Sequence, residues 1–450
     1  MKRKILGRLV AAIIMLAAGS GSGFGQTPPE LSDINPPPTA DAGRQLTPAL
    51  LAEWVAELAT NHPALLAAQA RTNAAAAQIE SIRTWEDPVV RVGGMAANRM
   101  MRQDDGDFIY GLEQKLPLFG KPGAQRELAA AELAVAATAG DAQFQRLRQE
   151  LLQALSRAAL ADETVAIAGQ DLQWLDLTTR TIEASYRSGN ARLVDVLTLQ
   201  NEQSKRAAEL QTERANRAQA YLVVNRLLNR DLTQAWPRLR LPPVAAEIQF
   251  QPHLLAAALA HSPDLARARA DIQVATAGVQ LAGKERWPDV MLELQNSTYV
   301  RERDWRSTEV MLGFSIPWGN RAKYRAAIRR EEQQRRAAEL ESLDAIQTVR
   351  VEMHALITRA TTARREALLY QDQVIPRSEQ ALASAEALFE SGGLLRDVLD
   401  ARRMLLDGRL RYAQAVAEQY QALAELARYC GCADWEALQT LASETKGNTP

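Results

Sequence analysis

An internal duplication constrains the fold of this chain more than any other feature of its sequence. Asn61-His62-Pro63-Ala64-Leu65 recurs as His261-Ser262-Pro263-Asp264-Leu265, 200 residues later. Pro88 after Trp85 matches Pro288 after Trp287. Leu116-Pro117-Leu118-Phe119-Gly120 matches Ile316-Pro317-Trp318-Gly319, and both proline offsets are again 200. Farther on, Tyr186-Arg187-Ser188-Gly189 and Asp195-Val196-Leu197 return as Phe389-Glu390-Ser391-Gly392 and Asp397-Val398-Leu399, at offsets of 203 and 202. Ordered matches of this kind are hard to ascribe to chance, so the fold is built from two like halves.

Each half has the same grammar: helix, strand hairpin, very long helix, short glycine turn, helix. Between Pro122 and Tyr186 there is no further proline, and Leu147, Leu151, Leu155 and Ala158 fall at i, i+4, i+8 and i+11, on one helix face. A helix of that length extends ~100 Å, which a single soluble domain has no use for. The corresponding stretch, Arg321 to Phe389, contains Pro376, which predicts a kink or break. Composition points the same way. Aromatics are only 5% of the chain, and long stretches of Ala, Leu, Gln, Glu and Arg suit helices that meet along narrow, small-residue seams. Charge runs such as Arg329-Arg330-Glu331-Glu332 and Arg335-Arg336 read as solvated faces of a coiled coil.

The hairpins are different material. Phe108, Tyr110, Leu112 and Leu116 alternate with Glu113 and Lys115. Val290, Leu292 and Leu294 alternate with Glu293 and Gln295, and Val310, Leu312, Phe314 and Ile316 form another apolar face. Period-two alternation predicts strands at about 88–119 and 288–317, weakest around Gly93-Gly94. Trp85, Trp287, Trp305 and Trp318 sit near strand ends, where membrane barrels carry aromatic girdles. Thirteen residues at ~3.3 Å each, tilted by ~45°, span ~30 Å of bilayer. Four strands cannot close a barrel of known size, so their edges are expected to pair with other copies of the chain.

Lys2, Arg3 and Lys4, the apolar run Ile5 to Ala18 and the small residues up to Gly25 read as a secretory signal over 1–25, cut before Gln26. The five prolines between Thr27 and Ala40 make 26–46 an extended linker. With 53 basic against 54 acidic residues there is no global attraction to nucleic acid. Phosphate loops, dinucleotide fingerprints, zinc-protease helices and nucleophile elbows are absent from the sequence, so neither an enzyme nor a cofactor is expected. Cys430-Gly431-Cys432 supplies only two soft ligands, and Met95, Met100 and Met101 are ordinary packing residues, so no metal site is assigned. His62, His253, His261 and His354 are given structural roles.

The ordered duplicate over residues 47–436 resembles the outer membrane efflux protein family typified by the TolC channel. The resemblance implies a mainly α fold with a small β part. Three protomers would each give four strands to a twelve-stranded barrel, continued by a long helical coiled-coil tunnel in the periplasm. The first repeat is then 47–251 and the second 252–436, followed by a flexible tail at 437–450. Gln114 to Lys121 is similar to hairpin exits of members that serve heavy-metal pumps of the resistance-nodulation-division type. Implied partners are two further copies of the chain, a periplasmic adaptor, an inner-membrane pump and outer-membrane lipid.

The same resemblance makes the glycine turns the periplasmic tips, at about 187–192 and 390–396, where the tunnel narrows and an adaptor docks. Ser188, Gly189, Asn190 and Arg192 form one docking tip, and Ser391, Gly392, Gly393 and Arg396 the other. A left-handed glycine permits each reversal, and Asn190 offers a cap for the returning helix. Asp195, Asp397 and Asp400 match carboxylates that line the closed end of the pore, with Arg192 and Arg396 placed to offset their charge. An aspartate near a helix start is also stabilising by ~0.3–1 kcal/mol whatever it lines. Two other readings compete: a periplasmic coiled-coil adaptor with no channel, and the exit duct of a type I protein secretion system.

Overall fold

The computed structural model describes residues 43–94, 108–189, 191–298 and 305–443. The expected signal sequence, most of the expected linker, Asn190 and the three methionines of the first hairpin lie outside the described residues. The first half runs β1 (Arg44–Gln45), α1 (Pro48–Asn61), α2 (Pro63–Ser81), β2 (Val89–Gly94), β3 (Phe108–Leu116), α3 (Lys121–Arg187), α4 (Leu193–Leu227) and β4 (Leu239–Arg240). The second half repeats the order with α5 (Pro252–His261), α6 (Pro263–Glu285), β5 (Val290–Thr298), β6 (Trp305–Phe314) and α7 (Arg321–Leu369). A π-helical turn (Tyr370–Val374), α8 (Ile375–Glu390), α9 (Leu395–Cys430) and α10 (Trp435–Ser443) complete it. The prolines that reveal the duplication open α2 and α6, where a missing N–H costs nothing.

Helix α3 is 67 residues long, so it extends ~100 Å. It packs against α2 and α6 over one part of its length and against α4 and α9 over another. The main core gathers where α1, α4, α5, α7 and α9 meet the middle of α3. Leu58, Leu151, Leu155, Val224, Leu254, Met353 and Leu423 are all fully buried there. Alanines fill the closest approaches, with Ala158 and Ala159 of α3 and Ala417 and Ala422 of α9 at 0% exposure. A larger side chain at these positions would force the helices apart. Buried Asp162 of α3 ties in the rest: it accepts from Arg217 and from the Tyr221 hydroxyl of α4, and from the Leu239 N–H of β4 at 2.8 Å.

Two sequence expectations are corrected and a third is given its form. The last residues of the supposed linker are structured, since Arg44–Gln45 pair in parallel with Leu239–Arg240 and Leu46 is buried. The supposed flexible tail begins as α10, because Trp435 and Leu438 bury against the core and Trp435 meets Tyr420 edge-on at 4.9 Å. Pro376 interrupts the α-helix as expected, since α7 ends at Leu369 and α8 begins at Ile375, with Pro376 in its first turn. The π turn just before it absorbs the position that lacks an N–H, and α8 continues in helical geometry. Gly408 of α9 faces this turn, where an added Cβ would lie 3.5 Å from Ile375 Cγ1.

The four-stranded sheet has the order β2-β3-β5-β6, antiparallel throughout. Its register places Val90, Leu112, Leu294 and Val310 in one cross-strand row, with Leu292 beside Leu312 and Val290 between Leu116 and Phe314. This face is exposed: Val90 and Val310 are each at 69% and Leu312 at 62%. The opposite face carries Glu113 directly across from Glu293, with Arg91 contacting Glu113 and lying 3.6 Å from Glu293. Above the apolar band, the Trp305 indole donates to Asn296 at 2.8 Å; below it, Phe119 and Trp287 stack at 5.2 Å. The nine residue-to-residue steps from Trp287 to Asn296 cover ~30 Å of strand, or ~23 Å when tilted by ~40°, close to the ~25 Å apolar band of outer-membrane barrels.

Candidate functional site

The two glycine turns lie at the ends of the α3–α4 and α8–α9 hairpins. Helix α8 ends in paired backbone bonds: Gly393 N–H donates to Leu388 O at 2.9 Å and Gly392 N–H to Phe389 O at 3.0 Å, with Gly392 at φ +98°. This is the double-bond glycine cap that satisfies a helix's last carbonyls. Gly393 is required for a separate reason, since a Cβ there would sit 2.8 Å from Leu388 O. In the first turn Gly189 is left-handed at φ +80° and donates to Tyr186 O at 2.9 Å. The residue preceding α4 is Arg192, whose side chain makes no capping bond to the backbone.

Arg192 instead donates through two nitrogens to the two carboxylate oxygens of Asp195, both at 2.9 Å. That bidentate pair holds the guanidinium above its ordinary pKa and leaves the Asp195 side chain 13% exposed. Asp397 and Asp400 sit in the first turns of α9 and are exposed. Asp400 lies 3.5 Å from Arg396 and 3.2 Å from Arg403, whereas Asp397 has no ion-pair partner among the described residues. The structure thus separates the expected carboxylates: Asp195 is engaged within its own turn, and the α9 pair faces solvent.

The tips are joined by side chains that sequence reasoning did not single out. Leu175, Ile182, Val196, Leu199, Leu395 and Leu399 form a small apolar cluster between the hairpins, with Trp174 and Phe389 against it. Beside it, Asp171 of α3 accepts from Arg206 of α4 and from Arg402 of α9, each at 3.0 Å. Arg402 also lies over the Trp174 ring at 4.9 Å. Glu202 of α4 meets Arg403 of α9 at 2.7 Å. Burial pushes the Glu202 carboxyl up, but Arg403 and Lys205 outweigh it and hold the group below its usual range. The available signal was Trp174 itself, an isolated large aromatic in a helix of small residues.

All four histidines make structural contacts. His62 Nδ1 accepts from Ala64 N–H at 3.1 Å, capping α2, and His253 Nε2 lies 3.0 Å from Leu441 O. His354 stacks on Phe250, and His261 packs against Gly431. Among the described residues no cluster of three or more metal-binding side chains is present, and no helix is long and apolar enough to cross a membrane.

A sheet with an exposed apolar face, set on helices ~100 Å long, matches a known family. The outer membrane efflux protein model fits this chain twice, at residues 54–230 and 254–432. The chain belongs to the outer membrane efflux protein family. It is 26% identical over 323 residues to the cobalt-zinc-cadmium resistance protein CzcC of Cupriavidus metallidurans, covering 68% of this chain and 71% of that one. It is 29% identical over 213 residues to the pyoverdine export outer membrane protein OpmQ of Pseudomonas putida, covering 46% of this chain and 43% of that one. Its fold matches the crystal structure of a membrane protein from Pseudomonas aeruginosa with a TM-score of 0.76 at 20% identity, over 88% of this chain and 97% of that one.

Proposed function

We propose that this chain forms, as a homotrimer, the passive exit duct of a tripartite efflux assembly. The observation that supports the reading best is the sheet: among the described residues, four strands with one apolar exposed face and a free edge on each side, at β2 and β6. Unpaired strand edges cannot stay open in hydrocarbon, so β2 of one copy pairs with β6 of the next, and three copies close a twelve-stranded barrel. A periplasmic adaptor without a channel has no use for such strands. The helices carry the conduit through the periplasm, and the tips meet an adaptor through Ser188, Gly189, Asn190, Arg192, Ser391, Gly392, Gly393 and Arg396. Asp397 and Asp400, with Asp195 behind them, form the narrow end of the duct. Converging carboxylates repel one another and favour cations, so the gate is cation-preferring. An inner-membrane pump of the resistance-nodulation-division type supplies the energy, and no bond chemistry is done here. A signal sequence over residues 1–25 delivers the chain.

The likeness to CzcC supports heavy-metal cations as cargo. Single-channel recording in planar bilayers tests the duct. Discrete cation-preferring conductance steps from a trimer are expected, and a protein that stays monomeric and gives no conductance ends this reading. Growth of a deletion strain, with and without the gene, tests the cargo across copper, silver, zinc, cobalt, cadmium and a panel of organic drugs. Selective metal sensitivity restored by the gene supports metal export; drug sensitivity with metals unaffected removes it.

A further inference from the structure

We propose that a cleft at the helix end of the sheet binds the phosphodiester headgroup of an anionic phospholipid. The cleft holds about 320 Å³ and is lined by Arg286, Trp287, Trp318, Arg321, Tyr324 and Arg325, together with Pro317 and Ile328. It sits where the apolar rows stop: Phe314 and Ile316 are exposed at 57% and 64%, and Trp318 follows at 54%. Tryptophan is enriched at this depth because its ring is apolar and its N–H needs a polar partner. The inference rests on the outer-membrane reading, which sets this level at the headgroups of the periplasmic leaflet.

The charges identify the occupant. Arg286, Arg321 and Arg325 are exposed, and among the described residues none of them is in an ion pair. Among the described residues no carboxylate lines the cleft. Cations a short distance away are treated differently, since Lys121 meets Asp289 at 2.8 Å and Lys115 meets Glu86 at 2.7 Å. Three uncompensated guanidiniums in one cleft repel one another unless an anion joins them. The planar guanidinium fork matches phosphate oxygens in paired hydrogen bonds. Arg286 lies over the Trp287 ring at 5.6 Å, and Lys323 over Tyr324 at 5.6 Å, so the aromatics hold cations at the rim. A cleft of this size accepts a headgroup but not its acyl chains, which are left to run along the exposed Phe314 and Ile316. Basic pockets beside a membrane recognise anionic lipids by this combination.

The test is native mass spectrometry of the full chain in detergent, titrated separately with dioleoyl phosphatidylglycerol, dioleoyl phosphatidylcholine and inorganic phosphate. Phosphatidylglycerol is expected to stay bound at least roughly tenfold more tightly than phosphatidylcholine. The Arg286→Gln/Arg321→Gln/Arg325→Gln variant is expected to lose that preference, while Arg329→Gln/Arg336→Gln on the solvated face of α7 keeps it. Equal binding of both lipids, or an unchanged preference in the triple variant, overturns the proposal. Competition by millimolar inorganic phosphate makes the cleft a free-anion site and also overturns it. A triple variant that keeps its lipid preference but no longer forms oligomers assigns the cleft to subunit contact instead. Insertion into pure phosphatidylcholine liposomes reports on the membrane reading separately, so the two ideas fail by different measurements.

Discussion

Asp171 on α3 and Arg402 on α9 form a 3.0 Å ion pair that joins the two halves of the duplicated chain, with side chains only 3% and 13% exposed. Asp171 also receives Arg206 at 3.0 Å, so one carboxylate serves two guanidiniums. Removing it leaves Arg402 without a carboxylate partner in a largely dry site, while Arg206 keeps Glu209 at 2.6 Å. Breaking a buried pair costs about 3–5 kcal/mol, and the 28% exposure of Arg206 puts this case at the lower end. Asp171→Asn is therefore expected to destabilise the folded chain by about 3 kcal/mol, read as a lower melting temperature by far-UV circular dichroism in detergent. An unchanged melting temperature would show that water already screens the site.

The gate assignment predicts opposite effects at neighbouring positions. Asp397→Ala with Asp400→Ala removes exposed negative charge and is expected to raise conductance and weaken cation preference in planar bilayers. Arg403→Ala removes the cation that Asp400 and Glu202 share, at 3.2 and 2.7 Å, and is expected to strengthen cation preference. Identical current–voltage curves for all three proteins would count against these carboxylates lining the conduit.

The two tips need glycine for different reasons, and alanine separates them. At Gly393 the new Cβ collides with Leu388 O at 2.8 Å, so the turn itself has to shift. At Gly189 nothing lies within 4 Å of a new Cβ, and only the left-handed φ of +80° is penalised, by ~1–2 kcal/mol. Gly393→Ala is expected to expose the second tip to limited proteolysis, with Gly189→Ala affected less. The reverse order of cleavage would show that the turns are not held by these contacts.

How much of this was legible in the sequence depends on the range of each signal. The strands were readable because a two-residue period and an apolar row are local properties of Val290 to Leu294 and Val310 to Phe314. Helix α3 was readable because its proline-free run is continuous. Pro376 announced an interruption but not its form, because the π turn that relieves the ring is a backbone adjustment, made opposite Gly408 of another helix. Asp195 looked like its repeat partner Asp397, yet Arg192 engages it, and a repeat offset does not report a side-chain pair. Asp171, Arg206 and Arg402 were invisible as a group, since they lie on three helices and are ordinary charged residues one at a time.

Tyr221 carries a pH dependence. Burial, then the charge of Asp162, raises the phenol pKa well above its ordinary value. A phenol whose pKa is higher folded than unfolded contributes stability that is complete below the unfolded value of ~10 and is lost as pH rises past it. Tyr420, pushed up to about 12 by burial, acts in the same direction, so the contribution of Tyr221 is a difference between proteins. Tyr221→Phe is expected to cost about 1–2 kcal/mol at pH 7 through the lost donor to Asp162. Its melting temperature should fall less steeply than that of the parent above about pH 10. Parallel curves would place the Tyr221 hydroxyl in contact with solvent.

The cysteine pair predicts an order of reaction. Cys430 is 4% exposed in the main core, and burial pushes its thiol up to about 12. Cys432 is also pushed up by burial, but the charge of Arg148 opposes this and the residue is only half-buried. Alkylation requires the thiolate, which at pH 7.5 is then a fraction of less than about one in ten thousand at Cys430. Iodoacetamide at that pH is expected to label Cys432 slowly and Cys430 only after unfolding, with the Cys432 rate rising as the pH is raised. Mass spectrometry of peptides quenched over time separates the two. Equal, rapid labelling would mean that the last turn of α9 opens readily, and that a soft metal ion could then reach both sulfurs.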